Sequence, residues 1–266
     1  MKILTVCVVI YNPDREELYK TFSGLQVATQ NVARDISLRL LIVDNSDTVS
    51  IDTHFHPILA EIPTKIVQGQ GNVGFARANN YALAEGVGDF HLVLNPDVEM
   101  SAFALQAAVE FMSTHPECGL LTPSASYPSG SKQYLCKQYP SVFDLFLRGF
   151  APRFIRNLFT TELARYEMRN KTNNTIYWDP PIVSGCFMFF RGNTFCAIRG
   201  FDERYMLYFE DFDISIRASQ TTRIAYVPTV QIVHSGGNAA RKGWWHIKQF
   251  GRSAALFFLS HGIKLF

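Results

Sequence analysis

The sequence predicts an α/β fold: a mostly parallel central sheet flanked on both faces by helices. Three observations predict it. Apolar runs of strand length recur through the first half of the chain, segments of helical patterning separate them, and several runs end in clusters of Asn, Asp and Pro. Strands that alternate with helices in this way pair in parallel and gather ligands at their carboxyl edge.

The first run, residues 3–10, is apolar throughout, as a strand buried on both faces requires, and it stops at Tyr11-Asn12-Pro13. Residues 14–33 mix polar and apolar positions as a helix does. A second buried strand spans 38–43 and ends at Asp44-Asn45-Ser46-Asp47, and a weaker third spans 63–68. Helical patterning over 72–85 leads to a fourth strand at 90–94, closed by Asn95-Pro96-Asp97. Ser101 precedes a helix over 102–115, and 118–121 gives a further short strand.

From 123 to 180 the character changes. Pro128-Ser129-Gly130 marks a turn, 131–138 alternate weakly like a hairpin arm, and 143–159 mix Phe, Leu and Ile with Arg148, Arg153 and Arg156. This predicts a helical excursion or lid over about 124–180. Beyond it, 182–190 read as one apolar strand, 206–219 as a helix, 224–227 and 230–233 as two short strands, and 241–261 as a long helix. Residues 1–240 are expected to form one domain, followed by a C-terminal amphipathic helical segment at 241–266.

Bulk properties exclude several classes. A 266-residue chain that is 47% hydrophobic buries a full core without disulfide or metal staples. Its net charge of +2 argues against a dedicated nucleic-acid binder, which carries a strongly basic face. Five cysteines without CxxC or metal-ligand spacing read as free thiols in a reducing compartment. The opening apolar run is too short for a membrane span and runs straight into a turn and charges, so it reads as a buried strand rather than a leader.

Four clusters carry chemistry. Asp44, with Asn45, ends a buried strand, where a carboxylate can accept from a base or a ribose hydroxyl; the plainer reading is an Asx turn. Tyr11 and Asn12 end the first strand on the same edge. The segment from Gly69 to Asn80 holds Gly71, Asn72, Gly74 and Arg77. Its glycines permit close backbone approach, the helix start offers amides to an anion, and Arg77 could meet a phosphate; without Gly-Lys-Ser/Thr it is no P-loop. Asn95-Pro96-Asp97 holds Asp97 where a divalent ion, Mg²⁺ or Mn²⁺, would bridge phosphate oxygens. In Glu210-Asp211-Phe212-Asp213 the helical spacing puts Glu210, Asp213 and Arg217 on one side, and Asp211 projects elsewhere as the candidate general base. The competing reading is a set of acids favoured by a helix start.

His234 ends another apolar run before Gly236-Gly237 and can complete an Asp-plus-diphosphate metal shell or serve as a structural or phosphate contact. The other six histidines look incidental. The final stretch, from Arg241 and Lys242 through Trp244-Trp245 to Leu259, combines cations with interfacial aromatics, as a helix lying on an anionic membrane does; core packing with snorkelling cations is the alternative.

Taken in order, these clusters resemble family 2 glycosyltransferases of the GT-A fold, especially bacterial rhamnosyltransferases of O-antigen and related polysaccharide assembly. The landmarks run from Val6 to about Trp245: Val8-Val9-Ile10-Tyr11-Asn12, Val43-Asp44-Asn45-Ser46, Gly71-Asn72-Val73-Gly74-Phe75-Ala76, Leu94-Asn95-Pro96-Asp97, Gly185-Cys186-Phe187-Met188, Gly200-Phe201-Asp202, Phe209-Glu210-Asp211-Phe212-Asp213 and His234-Ser235-Gly236-Gly237. The resemblance implies a Rossmann-like GT-A sheet. Asp44 would hold the nucleotide, and Asp97 would be the last acid of a DxD element whose first position is Asn95 here. Asp211 would be the base, and His234 a further metal or diphosphate contact. It implies inverting transfer from dTDP-β-L-rhamnose, giving an α-linked product.

Residues 131–140 and 142–147 also look like a segment of polyprenol-diphosphate-linked GlcNAc rhamnosyltransferases. The implied partners are a nucleotide-sugar, a lipid-linked or oligosaccharide acceptor and the cytoplasmic face of a bacterial inner membrane, with no nucleic acid. Other donors such as UDP-Gal, UDP-Glc or UDP-GlcNAc, a sugar nucleotidyltransferase, and a non-catalytic sugar-binding protein are the alternatives. The nucleotidyltransferase would need a glycine-rich triphosphate loop where Tyr11-Asn12-Pro13-Asp14 stands.

Overall fold

β1 (Lys2–Ile10) is apolar on both faces because helices cover its sheet twice. Leu4, Val6, Val8 and Ile10 pack into one cluster and Cys7 and Val9 into another, the period of two expected of a strand. The computed structural model describes residues 1–48, 51, 55–149, 151–236 and 243–265. After β1, Asp14 caps α1 (Arg15–Gln30) by accepting from the amides of Glu16 and Glu17 at 2.9 and 3.1 Å. The chain continues through β2 (Ile36–Asp44), α2 (His56–Leu59), β3 (Thr64–Val67), α3 (Phe75–Glu85), β4 (Phe90–Leu94), β5 (Val98–Met100), α4 (Ala104–Thr114) and β6 (Cys118–Ser126). The excursion holds β7 (Lys132–Gln133), β8 (Cys136–Lys137), α5 (Val142–Gly149), α6 (Arg153–Leu158), α7 (Thr160–Tyr166) and β9 (Tyr177–Trp178). Then come β10 (Ile182–Val183), β11 (Phe187–Arg191), α8 (Gly192–Ala197), α9 (Glu210–Ser219), β12 (Arg223–His234) and α10 (Trp244–His261).

The ten-stranded sheet has the order β3-β2-β1-β4-β11-β6-β12-β5, with β7 on β6 and β9 on β12; β8 and β10 form a small sheet of their own. β3, β2, β1 and β4 are parallel, as are β6 and β12, while β11 runs antiparallel between β4 and β6. α1 and α4 cover one face, and α3, α8 and α9 cover the other.

Register puts the functional clusters on one edge. Ile10 pairs with Asp44 and Val8 with Leu94, so β1, β2 and β4 end together. Phe187 also pairs with Leu94, so the start of the reversed β11 meets the same edge. This is the α/β architecture, a central sheet flanked by helices with a C-terminal helix, that the sequence predicts; the sheet itself is mixed rather than mostly parallel, because β5, β7, β9 and β11 pair antiparallel.

Several elements differ from expectation. The apolar run 182–190 is two strands: β10 pairs with β8 and β11 with β4, and Ser184-Gly185-Cys186 turns between the two sheets. The runs at 224–227 and 230–233 are one strand, β12, with a register shift between Val227 and Gln231 where Pro228 has no amide to give the ladder. The strand expected at 118–121 continues to Ser126 and receives β7 as a hairpin partner. α3 begins at Phe75 rather than 72, because Gly74 sits at φ +87. α9 begins at Glu210 rather than 206, because Tyr208 and Phe209 adopt left-handed conformations at φ 70 and 66. The helix expected from 241 is described from Trp244; Gly237, Arg241 and Lys242 lie outside the described residues.

α10 docks through Phe257, which is fully buried among Leu145, Ile182, Tyr205 and Phe209. Polar ties fix it further. His261 Nε2 lies 2.8 Å from Asp213 Oδ1, and the Ser253 hydroxyl donates to the Leu207 carbonyl at 2.8 Å. Beyond the helix, the Val142 and Phe143 amides donate to the Lys264 and Leu265 carbonyls at 2.8 and 3.3 Å.

Candidate active site

At the β1–β2 end the polar residues first build their own loops. Asp44 is almost fully buried, and its Oδ1 accepts the Ser46 amide at 2.9 Å. The Asn45 amide donates to the Ile10 carbonyl at 2.8 Å, and its side-chain amide donates to the Gly74 carbonyl at 3.2 Å. The Asn12 amide donates to the Ser46 hydroxyl at 2.8 Å, with Asn12 itself at φ 44, and Tyr11 beside it is half exposed. The Asx-turn reading of Asp44 therefore describes one of its oxygens.

The glycine segment is held from both sides. A Cβ on Gly74 would meet the Met206 carbonyl oxygen at 2.6 Å, so this glycine is needed for packing against the loop before α9 rather than for approach to a ligand. The Gly74 amide donates to Asn72 Oδ1 at 3.1 Å and the Phe75 amide to Met206 O at 3.0 Å, which removes two of the helix-start amides an anion would use. Gly71, at φ +67, faces open space. Arg77 is exposed and 3.7 Å from Glu203.

Next along the edge is the β4 end. The Asn95 amide donates to the Cys186 carbonyl at 2.9 Å, tying this turn to the start of β11. His234 arrives from β12, where it pairs with Val98, and the Ser235 amide donates to the Asp97 carbonyl at 3.1 Å. His234 Nε2 lies 3.4 Å from Asp97 Oδ1, and Nδ1 lies 2.9 Å from Gln133 Oε1. Burial alone would push this imidazole down, but Cys186 and the Asp97 carboxylate raise it to about 11. A depression of about 260 Å³ opens beside Asp97, lined by Glu17, Lys20, Glu99 and Ser235 among others. A larger one of about 500 Å³ lies at the opposite edge of the sheet, around Lys2, Gly88 and Arg191, away from these clusters. No group of three His, Cys, Asp or Glu side chains that could hold a metal occurs among the described residues.

Asp211 completes the edge from the first turn of α9. The Gly185 amide donates to its Oδ2 at 3.1 Å and the Phe212 amide to its Oδ1 at 3.0 Å. Burial raises its carboxyl above the ordinary range, and these amides together with the charge of Arg148 oppose the rise. Neighbouring Glu210 is buried, its Oε2 has no hydrogen-bond partner, and burial and the Asp211 charge push it well up. Burial thus raises both acids, Glu210 the more, while two backbone amides and the Arg148 charge favour the ionised form of Asp211. Asp213 is spent on structure, between Arg217 at 2.7 Å and His261 at 2.8 Å. The left-handed Tyr208 and Phe209 just before α9 cost about 1 kcal/mol each, and aromatic packing of Phe209 on Phe212, Phe250 and Phe257 holds them.

The structure thus brings Asn12, Asp44, Asn45, Asn95, Asp97, His234 and Asp211 to one sheet edge. The sequence reading did not find Gly185 as an amide donor or Gln133 as the partner of His234. Gly185 was legible as part of the Gly185-Cys186-Phe187-Met188 landmark, with no role attached to its amide.

Ligands of open α/β sheets gather at this carboxyl edge, where a carboxylate–imidazole pair and a separately tethered carboxylate stand together here. The chain matches glycosyl transferase family 2 over residues 5–194, and it belongs to that family. It is 28% identical over 252 residues to the N-acetylglucosaminyl-diphospho-decaprenol L-rhamnosyltransferase of Mycobacterium tuberculosis, covering 87% of this chain and 76% of the relative. It is 25% identical over 240 residues to the rhamnosyltransferase WbbL of Escherichia coli, covering 84% of each. Among solved structures it resembles GalNAc-T7, crystallised with UDP, GalNAc and Mn²⁺, at a TM-score of 0.65 and 13% identity, over 98% of this chain and 51% of that one. The chain therefore spans about half the length of GalNAc-T7.

Proposed function

We propose that this glycosyltransferase moves L-rhamnose from dTDP-β-L-rhamnose, with inversion, onto a GlcNAc-containing polyprenol-diphosphate-linked acceptor or a growing O-antigen chain, forming an α linkage. The observation that carries the reading is the tethered, proton-hungry Asp211 on the same sheet edge as the Asp97–His234 pair. Rhamnose and the lipid-linked acceptor follow the names of the two bacterial relatives.

In this reading Asp211 accepts the proton of an acceptor hydroxyl as its oxygen bonds to the anomeric carbon. The bond from that carbon to the diphosphate oxygen breaks on the opposite side, and dTDP leaves. Raised basicity suits the step, because a carboxylate nearer neutral pH is a stronger base. No covalent enzyme intermediate is required. Tyr11, Asn12, Asp44 and Asn45 would seat the nucleoside, with Gly71, Asn72 and Arg77 lining the far side, while Gly74 serves packing against Met206.

The residues present fit a divalent ion. Gln133 Oε1 is an acceptor, so His234 Nδ1 donates to it and Nε2 faces Asp97 Oδ1; the raised imidazole carries a proton there, and a divalent ion would take that proton's place. Two acceptors face one another only with a proton or a cation between them. Asn95 Oδ1, in the same turn as Asp97, is buried without a hydrogen-bond partner. Asp97, His234 and Asn95 would hold Mg²⁺ or Mn²⁺, and the ion, when bound, would neutralise the leaving diphosphate. Asn95 replaces a carboxylate of the usual pair, so affinity in the absence of nucleotide should be modest.

Membrane contact is part of the same proposal. Phe146, Phe154, Leu158, Leu259, Ile263 and Leu265 are exposed, on α5, α6 and the C-terminal end, and Arg148, Arg156 and Lys264 lie among them in the sequence. Apolar side chains interspersed with cations suit an anionic lipid surface. No helix among the described residues is long and apolar enough to cross a membrane. The enzyme would act as a peripheral protein at the cytoplasmic face of the bacterial inner membrane.

The test is incubation of purified protein with dTDP-rhamnose, Mn²⁺ or Mg²⁺ and a GlcNAc-diphospho-lipid. The expected product gains one rhamnose by mass and is α-linked by NMR. Transfer from UDP-sugars alone would reassign the donor, and no transfer from any donor would leave a binding protein.

A further inference from the structure

One face of α10 is directed at the segment that carries Asp211. His246, Phe250, Ser253, Phe257 and His261 recur every three or four residues, so they form one stripe along the helix. The Tyr208 hydroxyl lies 2.9 Å from His246 Nδ1, and the Tyr208 ring meets Phe250 with centroids 5.8 Å apart. The Leu207 carbonyl accepts the buried Ser253 hydroxyl at 2.8 Å. Phe209 packs on Phe250 and Phe257 at 5.2 and 5.4 Å, and Asp213 reaches His261 at 2.8 Å. The segment needs this support. Tyr208 and Phe209 are left-handed at φ 70 and 66, which neither side chain favours, and Phe209 caps α9 without a side-chain hydrogen bond. Local sequence therefore does not fix the direction in which α9 starts. Asp211 stands two residues further on, and its carboxylate must meet the Gly185 amide, which belongs to another element. Burial pushes the Tyr208 phenol up to about 12, so a neutral hydroxyl faces the imidazole.

We propose that His246 and Ser253 are positioning residues for the proton transfer: through Tyr208 and Leu207 they hold the left-handed entry to α9 and so keep Asp211 on the Gly185 amide. The inference rests on the reading that Asp211 is the base. Both residues act at one remove, through the backbone, and the proton transfer stays with Asp211. With the ties cut, Tyr208 and Phe209 relax towards negative φ, the first turn of α9 swings with them, and the carboxylate leaves its place. A small displacement of a reacting group costs rate steeply. The proposed nucleoside seat on β1 and β2 lies on other elements, so the loss falls on kcat rather than on either KM.

Tyr208→Phe, which loses one oxygen and keeps the ring on Phe250, and His246→Leu are the primary variants. Each should lower kcat for transfer about tenfold, with both KM values and the dTDP dissociation constant within about twofold of the parent. The double variant should be no slower than either single one, because both remove the same contact. His246→Gln restores a polar atom and should recover part of the rate, while Ser253→Ala should lower kcat in the same manner. In an Asp211→Asn background, Tyr208→Phe should change single-turnover transfer by less than about twofold, since the carboxylate it positions is gone. Parent kcat in Tyr208→Phe and His246→Leu, even with lowered melting temperatures, would overturn the proposal and leave the contacts purely structural. Losses that multiply in the double variant, or that persist in the Asp211→Asn background, would overturn it too. Should His246→Leu not fold, Tyr208→Phe alone decides, by its kcat and by its dependence on the Asp211 carboxylate. Full activity of Asp211→Asn would remove the base reading and this inference with it. An inactive Asp211→Asn beside a fully active Tyr208→Phe would remove the positioning role alone.

Discussion

Gly185 gives its amide to Asp211 at 3.1 Å, and a Cβ built on Gly185 would come within 3.2 Å of the Asp211 Cβ. The proposed base is therefore held by backbone and has no room on that side. Gly185→Ala should displace the carboxylate by a few tenths of an ångström and lower kcat about tenfold, since small misplacements at a reacting centre are costly. Steady-state kinetics alongside a melting curve checks this; lost cooperativity in unfolding would indicate a packing defect.

Asp211→Asn keeps the shape and removes the basicity. Transfer should fall by roughly 10³-fold, within the usual range for a lost general base, with the donor dissociation constant within about twofold. Single-turnover transfer and donor calorimetry measure the two separately. Parallel loss of both would make Asp211 structural.

Glu210 gives a pH-dependent prediction with a defined sign. Its folded-state carboxyl is raised well above 4.5, so its contribution to stability is fully present below the unfolded value and is lost as pH rises through the raised folded one. Glu210→Gln mimics the protonated acid. Its melting temperature should match the parent near pH 4 and exceed it increasingly toward pH 8; equal curves across that interval would refute the buried, protonated Glu210.

His91 behaves in the opposite sense. It is fully buried against Phe195, makes no well-formed hydrogen bond through its ring, and burial pushes it down to about 3 despite the nearby Thr5 backbone. Its neutral form stabilises the fold above pH 6.5, and that stability drains away as pH falls toward 3. Replacement by Leu should be near neutral at pH 8, because no bond is lost, and should flatten the decline in melting temperature between pH 6.5 and 4. Urea titrations at several pH values give the comparison.

Chelation tests the ion. EDTA should abolish transfer by the intact enzyme and Mn²⁺ should restore it. Asp97→Asn should need at least about tenfold more Mn²⁺ for half-maximal activity, in line with the loss of an anionic ligand from such a site. Activity indifferent to EDTA would remove the metal from the scheme.

What the sequence made legible follows from local physics. The strands at 3–10, 38–43 and 90–94 are buried on both faces, so their composition alone marks them, and the polar residues that end them fell on one edge because parallel strands share a direction. The break in 182–190 was not legible, since a turn between two sheets at Ser184-Gly185-Cys186 keeps the same apolar lining as a continuous strand. The joining of 224–227 with 230–233 was hidden by Pro228, which reads as a stop and is in fact a shift in register. Tyr208 and Phe209 carry no local signal for left-handed backbone; only the packing around Phe209 imposes it. The pairing of His234 with Gln133 joins residues about a hundred positions apart, which no periodicity encodes.

The tail carries a practical lesson. Because the carbonyls of Lys264 and Leu265 receive the first amides of α5, anything fused after Phe266 would load that helix. Affinity handles and immobilisation chemistry for this enzyme belong at Met1, which is 90% exposed at the sheet edge remote from Asp211.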